Sequence, residues 1–149
     1  MRFWGTLVLS ATLLFLSAAA QAASLNTVRG FVYTWFGAFD ENRPVEEFLA
    51  HLEPQVEMHF PDRAVHSTRD FASWYANVLR TYAHATHELT DLAVWREGDH
   101  YRVEINLHWH ATKRAGGDDD LLVHQRWEVI DSAQGLHIRR YDVQPLAKP

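Results

Sequence analysis

Residues 84–144 carry a hydrophobic alternation that holds its register through three turns, and no other feature limits the possible folds of this chain so tightly. Gly98-Asp99 is a two-residue loop that tolerates positive φ, so Glu97 meets His100 and Leu92 meets Ile105 across the first hairpin. A second turn within residues 115–119 sets Ile105 beside Val129, and a third at residues 132–135 sets Val129 beside Ile138. One row of the sheet then reads Leu92, Ile105, Val129, Ile138, wholly apolar. Strand side chains alternate between faces, so the next rows on that face read Thr90, Leu107, Trp127, Arg140 and then Glu88, Trp109, Gln125, Asp142.

This face is apolar at one end and gathers carboxylates, an amide and a guanidinium around two indoles at the other. Burying an unpaired charge costs several kcal/mol, so the gradient describes either a pocket mouth or strand ends that reach solvent at the sheet edge. Read as a pocket, Glu88 and Asp142 are the candidate catalytic acid and base, because burial raises a carboxyl's proton affinity and a neighbouring arginine lowers it. Gln125 orients a carbonyl, Arg140 completes the polar end, and Trp109 and Trp127 stack on a flat ligand. The opposite face carries His87, His110 and His124 in one row, with His108 and Arg126 in the next. Three converging imidazoles suit zinc or copper, whereas a solvated histidine patch needs no metal. A one-residue slip in register exchanges the two faces, and both sets of residues depend on it.

Ahead of the sheet, Val28, Phe31, Val32, Trp35, Phe36 and Phe39 recur at helical spacing and form an aromatic stripe that ends near residues 40–43. Pro44 suits the first turn of a short helix bearing Val45, Phe48, Leu49 and Leu52. Val56, Met58 and Phe60 then alternate with Glu57 and His59 as a strand closed by Pro61. Ser67 with Asp70 resembles a capping box opening a third helix, whose apolar positions are Phe71, Trp74, Tyr75, Val78, Leu79 and Tyr82. Two long aromatic stripes need a broad apolar face to cover. The ladder face is the candidate, which makes the architecture α+β.

Met1-Arg2, an apolar run from Leu7 to Leu16, and the small residues up to Ala23 have the form of a secretory signal peptide cut after Ala22. The run is short for a membrane span, so no stable insertion is expected after cleavage. Residues 23–149 then form one domain with no linker or repeat. The chain has no cysteine, so an exported protein relies on packing alone, which fits a periplasm. Its net charge of -5 argues against nucleic acid as a partner. No nucleophile elbow, Walker loop or dinucleotide fingerprint is present, and no cofactor is expected.

The order helix, short helix, strand, long helix, long antiparallel strands resembles the nuclear transport factor 2-like superfamily. Within it, residues 36–61, residues 67–75, and Trp127-Glu128-Val129 followed by Ile138 look like the SnoaL-like polyketide cyclase and ketosteroid isomerase-like group. The resemblance implies a cone-shaped fold, with a curved antiparallel sheet packed against three N-terminal helices around a cavity. It places Trp35 where ketosteroid isomerases carry a tyrosine and Phe60 where they carry a basic aspartate, and neither can do that chemistry. It also sets the segment after Phe60 at the cavity mouth, where His59, Arg63 and His66 would meet an acidic ligand. Because this fold serves isomerases, dehydratases, cyclases and binding proteins alike, it does not settle function. The leading expectation is a periplasmic, cofactor-free protein binding a small apolar or aromatic ligand, with Trp35 among the lining indoles. The alternatives are an isomerase, cyclase or dehydratase using Glu88 or Asp142 as base, and a homodimeric interaction module joined through the outer sheet face.

Overall fold

The structure, a computed structural model, describes residues 21–146. The expected leader therefore lies outside the described residues, apart from Gln21 and Ala22. The elements are α1 (Leu25–Asp40), α2 (Val45–Leu49), β1 (Leu52–Phe60), β2 (Arg63–Val65), α3 (Thr68–Thr81), β3 (Tyr82–Glu97), β4 (His100–Lys113), β5 (Asp118–Ser132) and β6 (Gly135–Pro145).

Each long helix starts at a serine whose hydroxyl accepts a backbone N–H that the helix cannot pair internally. Ser24 takes that of Thr27 at 3.1 Å, and Ser67 takes that of Asp70 at 3.1 Å. Asp70 answers by accepting from the backbone of His66, closing the expected capping box one residue outside the cap. The short helix stops before Leu52, which begins β1 instead. There the backbone N–H of Ile138 donates to the carbonyl of His51 at 2.8 Å and draws the chain into the sheet.

The six strands lie in the order β2-β1-β6-β5-β4-β3. Strands β3 to β6 form the expected antiparallel meander, but β1 runs parallel to β6, with Met58 opposite Tyr141, so the curved sheet is mixed. The segment after Phe60, expected as a connection, contains the short strand β2 paired with β1. Helices α1 and α3 cover the inner sheet face, as expected. Val28, Val32, Trp35 and Phe36 of α1 and Phe71 and Tyr75 of α3 are buried on Ile105, Leu107, Trp127 and their neighbours.

The first and third hairpins have the expected register, with Leu92 opposite Ile105 and Val129 opposite Ile138. The middle hairpin is offset by four residues, placing Ile105 opposite Gln125 and Val129 opposite Tyr101. Gly116 and Gly117 both take positive φ, so the chain reverses early and the following aspartates join β5. An even offset keeps every residue of β5 on its expected face.

Two bulges change faces. In β3 the pairing skips Thr90, so Leu89 turns inward opposite Leu107 while Glu88 turns outward opposite His108. In β6 the pairing skips Arg139, so Tyr141 and Val143 turn inward while Arg140 and Asp142 turn outward. Strict alternation from Ile138 would have forced the Arg140 guanidinium into the core. With the bulge, Arg139 reaches Glu128 at 3.1 Å and Arg140 reaches Asp142 at 2.8 Å, both outside the core.

Candidate functional site

A cavity of about 380 Å³ lies between α3, the end of α1 and the inner face of β3 to β6. Leu107, Val123, Gln125, Tyr141 and Val143 line it from the sheet, and Trp74, Tyr75 and Val78 line it from α3. Phe60 stacks on Trp74 with ring centroids 4.2 Å apart. Trp109 stands edge-on to Tyr82 at 5.4 Å.

The β3 bulge sends His87 into this cavity. Its Nδ1 donates to Asp40 Oδ1 at 2.6 Å, and its backbone N–H donates to Asp40 Oδ2 at 3.2 Å. The imidazole also stacks on Phe36, with centroids 5.0 Å apart. Asp40 is the last residue of α1, where the negative end of the helix dipole disfavours a carboxylate. Both of its oxygens are taken up by His87. Among the described residues Nε2 of His87 has no hydrogen-bond partner, and the tautomer is set by the carboxylate on Nδ1. The side chain is only 13% exposed, so a ligand in the cavity would meet this nitrogen with little competing water.

A second polar group lies deeper. The indole N–H of Trp127 donates to Gln125 Oε1 at 3.0 Å in a fully buried contact. An indole can only donate, so this bond fixes the amide's orientation and leaves its NH2 for Tyr141 and the cavity. Burial drives the Tyr141 phenol far above the usual tyrosine range, with the N–H groups of Trp35 and Gln125 only partly opposing it. Tyr141 is therefore a protonated donor at any physiological pH. Trp35 Nε1 is buried and makes no well-formed hydrogen bond among the described residues.

At the mouth, the Tyr82 hydroxyl donates to Asp119 Oδ2 at 2.7 Å, and Lys113 Nζ lies 2.6 Å from Oδ1. Burial and then Asp119 push the Tyr82 phenol up to about 12, while Lys113 and then Tyr82 hold the Asp119 carboxyl below the usual range.

Of the residues singled out from sequence, Trp109 and Gln125 line the cavity. Trp127 lies directly beneath it, and Trp35 is core, 3% exposed and packed on Phe48 and Trp127. Glu88, Arg140 and Asp142 are on the outer face because the two bulges reverse the alternation. His59 is there too, with Nδ1 donating to Asp142 at 2.6 Å. His66 pairs with Glu57 at 2.7 Å, and neither His66 nor Arg63 lines the cavity.

The expected histidine trio does not converge, since His87 faces inward. His110 lies 3.6 Å from Asp120, which also holds His108, and His124 bonds Asn106 at 2.8 Å. Among the described residues no group of three or more His, Cys, Asp or Glu side chains is arranged to hold a metal. Burial raises the proton affinity of Asp142, but Arg140 and His59 outweigh it and hold the carboxyl below the usual range. Arg126, His124 and these three residues rim a polar outer depression of about 420 Å³.

The sequence reading missed His87 as an inward residue, along with Asp40, Tyr82, Asp119 and Tyr141. A signal was present in each strand: Leu89 and Tyr141-x-Val143 are apolar out of phase with Leu92 and Ile138, which is what a one-residue bulge requires.

No protein-family model matches the sequence, and no curated protein matches it significantly. Solved structures do match. A nuclear transport factor 2-like superfamily protein from Salmonella enterica superposes with a TM-score of 0.76 at 15% identity, over 83% of this chain and 91% of that one. A candidate dehydratase of the same family from Streptomyces avermitilis gives 0.73 at 15% identity, over 83% and 96%. The CaMKII hub of S. rosetta gives 0.71 at 13% identity, over 85% and 100%. Likeness at these identities reaches the fold and nothing finer. The helices, the curved sheet and the cavity between them thus give this chain the nuclear transport factor 2-like fold.

Proposed function

We propose that the protein takes into its cavity one small, flat, largely apolar molecule bearing a carbonyl or hydroxyl group. The cavity volume of about 380 Å³ falls within the range of small-molecule sites, and aromatic walls with a few fixed polar groups suit such a ligand. Among the described residues no lysine or arginine lines the cavity whereas Asp62 and Asp119 do, which favours a neutral or cationic ligand over an acid. Export to the periplasm belongs to the same reading and rests on the leader sequence alone.

A second reading, proton transfer on the bound molecule, is carried by one observation: the cavity-lining His87 oriented through Nδ1 by Asp40. In that role Nε2 accepts a proton from carbon or water, and Asp40 stabilises the imidazolium that forms. The amide of Gln125 and the hydroxyl of Tyr141 supply donors for an oxygen that gains negative charge. His87 thereby replaces Glu88 and Asp142 as the proposed base, because those carboxylates lie across the sheet. One structural neighbour is a candidate dehydratase, which supports such chemistry on this fold.

The test is a titration of the purified protein with a panel of neutral aromatic ketones and phenols, followed by tryptophan fluorescence and native mass spectrometry. A stoichiometric ligand that quenches Trp74 and Trp109 emission is expected, and Gln125→Leu should weaken it about tenfold, the worth of one good hydrogen bond. The absence of any quenching ligand, or indifference to Gln125→Leu, would sink the binding reading. For chemistry, deuterium exchange into the bound ketone is expected in the native protein and should be lost in His87→Gln with affinity within about threefold. Binding without exchange would leave a binding protein only.

A further inference from the structure

Independently of the cavity, we propose that hydrolysis of the Ala22–Ala23 bond creates an α-ammonium group that Asp131 captures, so the folded domain carries a receptor for its own processed N terminus. The backbone nitrogen of Ala23 donates to Asp131 Oδ2 at 2.6 Å. On the other side of the same residue, the Tyr101 hydroxyl donates to the Ala23 carbonyl at 2.5 Å. Tyr101 is 2% exposed and is itself held by Arg96, whose Nη1 lies 3.1 Å from its oxygen and whose guanidinium lies 5.0 Å from its ring centroid. Ala23 is thus gripped at both backbone groups by side chains remote in sequence, whereas Gln21 and Ala22 are exposed.

The charges point the same way. Among the described residues Asp131 makes no ion pair and no hydrogen bond other than that to Ala23 N, so a half-buried carboxylate faces one neutral amide. Cleavage corrects this imbalance. Water adds to the Ala22 carbonyl carbon, the C–N bond breaks, the leader departs with a carboxylate on Ala22, and the Ala23 nitrogen becomes an amine. The leader peptidase of an exporting cell supplies the catalyst. At neutral pH that amine carries a proton, since free α-amino groups titrate near about 8. An ammonium group beside Ser24 would otherwise oppose the positive end of the α1 dipole, and α1 has no acidic residue in its first turn. Asp131 provides that missing carboxylate from β5.

The experiment begins with the full chain expressed for export and the intact mass of the recovered protein. A mass starting at Ala23 is expected; a different mature N terminus overturns the proposal. The protein starting at Ala23 is then compared with its N-acetylated form, which keeps the N–H donor and loses the charge. The free-amine form should melt about 2–5 °C higher, and Asp131→Asn should remove that difference. Equal melting temperatures in the two native forms, or an acetylation effect unchanged in Asp131→Asn, would overturn it. The first comparison stands even if the variant fails to fold. Tyr101→Phe should lower both forms equally, because the hydroxyl grips the carbonyl and not the amine.

Discussion

The two faces of this sheet are built from the same strands, yet they treat polar side chains in opposite ways. On the outer face, rows such as Arg102, Glu128, Arg140 and Glu57, or Glu104, Arg126 and Asp142, alternate in sign from strand to strand. Each charge has neighbours of opposite sign in water, and such pairs contribute little individually. On the inner face three polar groups are held by side chains: Asp40 by His87, Gln125 by Trp127, and Asp119 by Tyr82 and Lys113. Enclosure therefore decides where chemistry can occur. The density of histidines and carboxylates along a strand does not.

Deleting Thr90 attacks the contrast most directly, because a bulge-free β3 would turn Ala85, His87 and Leu89 outward. Loss of stability at or beyond the upper end of point-mutant effects, about 4–5 kcal/mol, is expected in urea unfolding, against about 1 kcal/mol or less for Thr90→Ala. Equal midpoints for the two would mean that the bulge is incidental. Trp127→Ala comes next. It removes a side chain with no exposed surface and frees Gln125 Oε1, at an expected cost of about 3–5 kcal/mol. A loss below about 1 kcal/mol would show that the inner face is not the tight core described above.

The faces should also separate by pH. Tyr82 has a folded-state pKa raised from 10.0 to about 12, so its contribution is complete below pH 10 and declines as pH rises toward about 12. Tyr141 adds to the same alkaline limb, so Tyr82→Phe should flatten the loss between those values without abolishing it. A variant with the native alkaline profile would contradict the Tyr82–Asp119 contact. Asp142 behaves in the reverse sense. Its lowered pKa gives a contribution present above the unfolded value of 3.8 and lost as pH falls through the depressed folded one. Asp142→Asn should reduce the acid dependence of stability there, and by little. Smallest of all, Arg126→Ala on the outer face should change stability by no more than about 0.5 kcal/mol, and a larger loss would assign that face a structural role of its own.

Much of the architecture was legible because it is written in local periods. The aromatic stripes of α1 and α3, the serine caps, and the turns at Gly98 and Gly135 each depend on residues within a few positions of one another. The α+β class, the three helices and the sheet face they cover follow from these. The site was only half legible. Trp109 and Gln125 lie on the inner face that alternation predicts, since their strands keep an unbroken alternation between turns. Glu88, Arg140, Asp142 and His87 were exchanged between faces, since a single extra residue reverses all that follow it.

Composition and periodicity alone thus determined the layers, the four-stranded meander and the existence of an aromatic interior against a sheet. Only the tertiary structure decided which polar residues share the cavity. A bulge is chosen by the packing of both strands together: β6 skips Arg139 so that two guanidiniums stay with Glu128 and Asp142 outside while Tyr141 stacks on Trp127 inside. That balance sums the desolvation of a charge and the burial of a ring between segments far apart in the chain, and no local pattern encodes it.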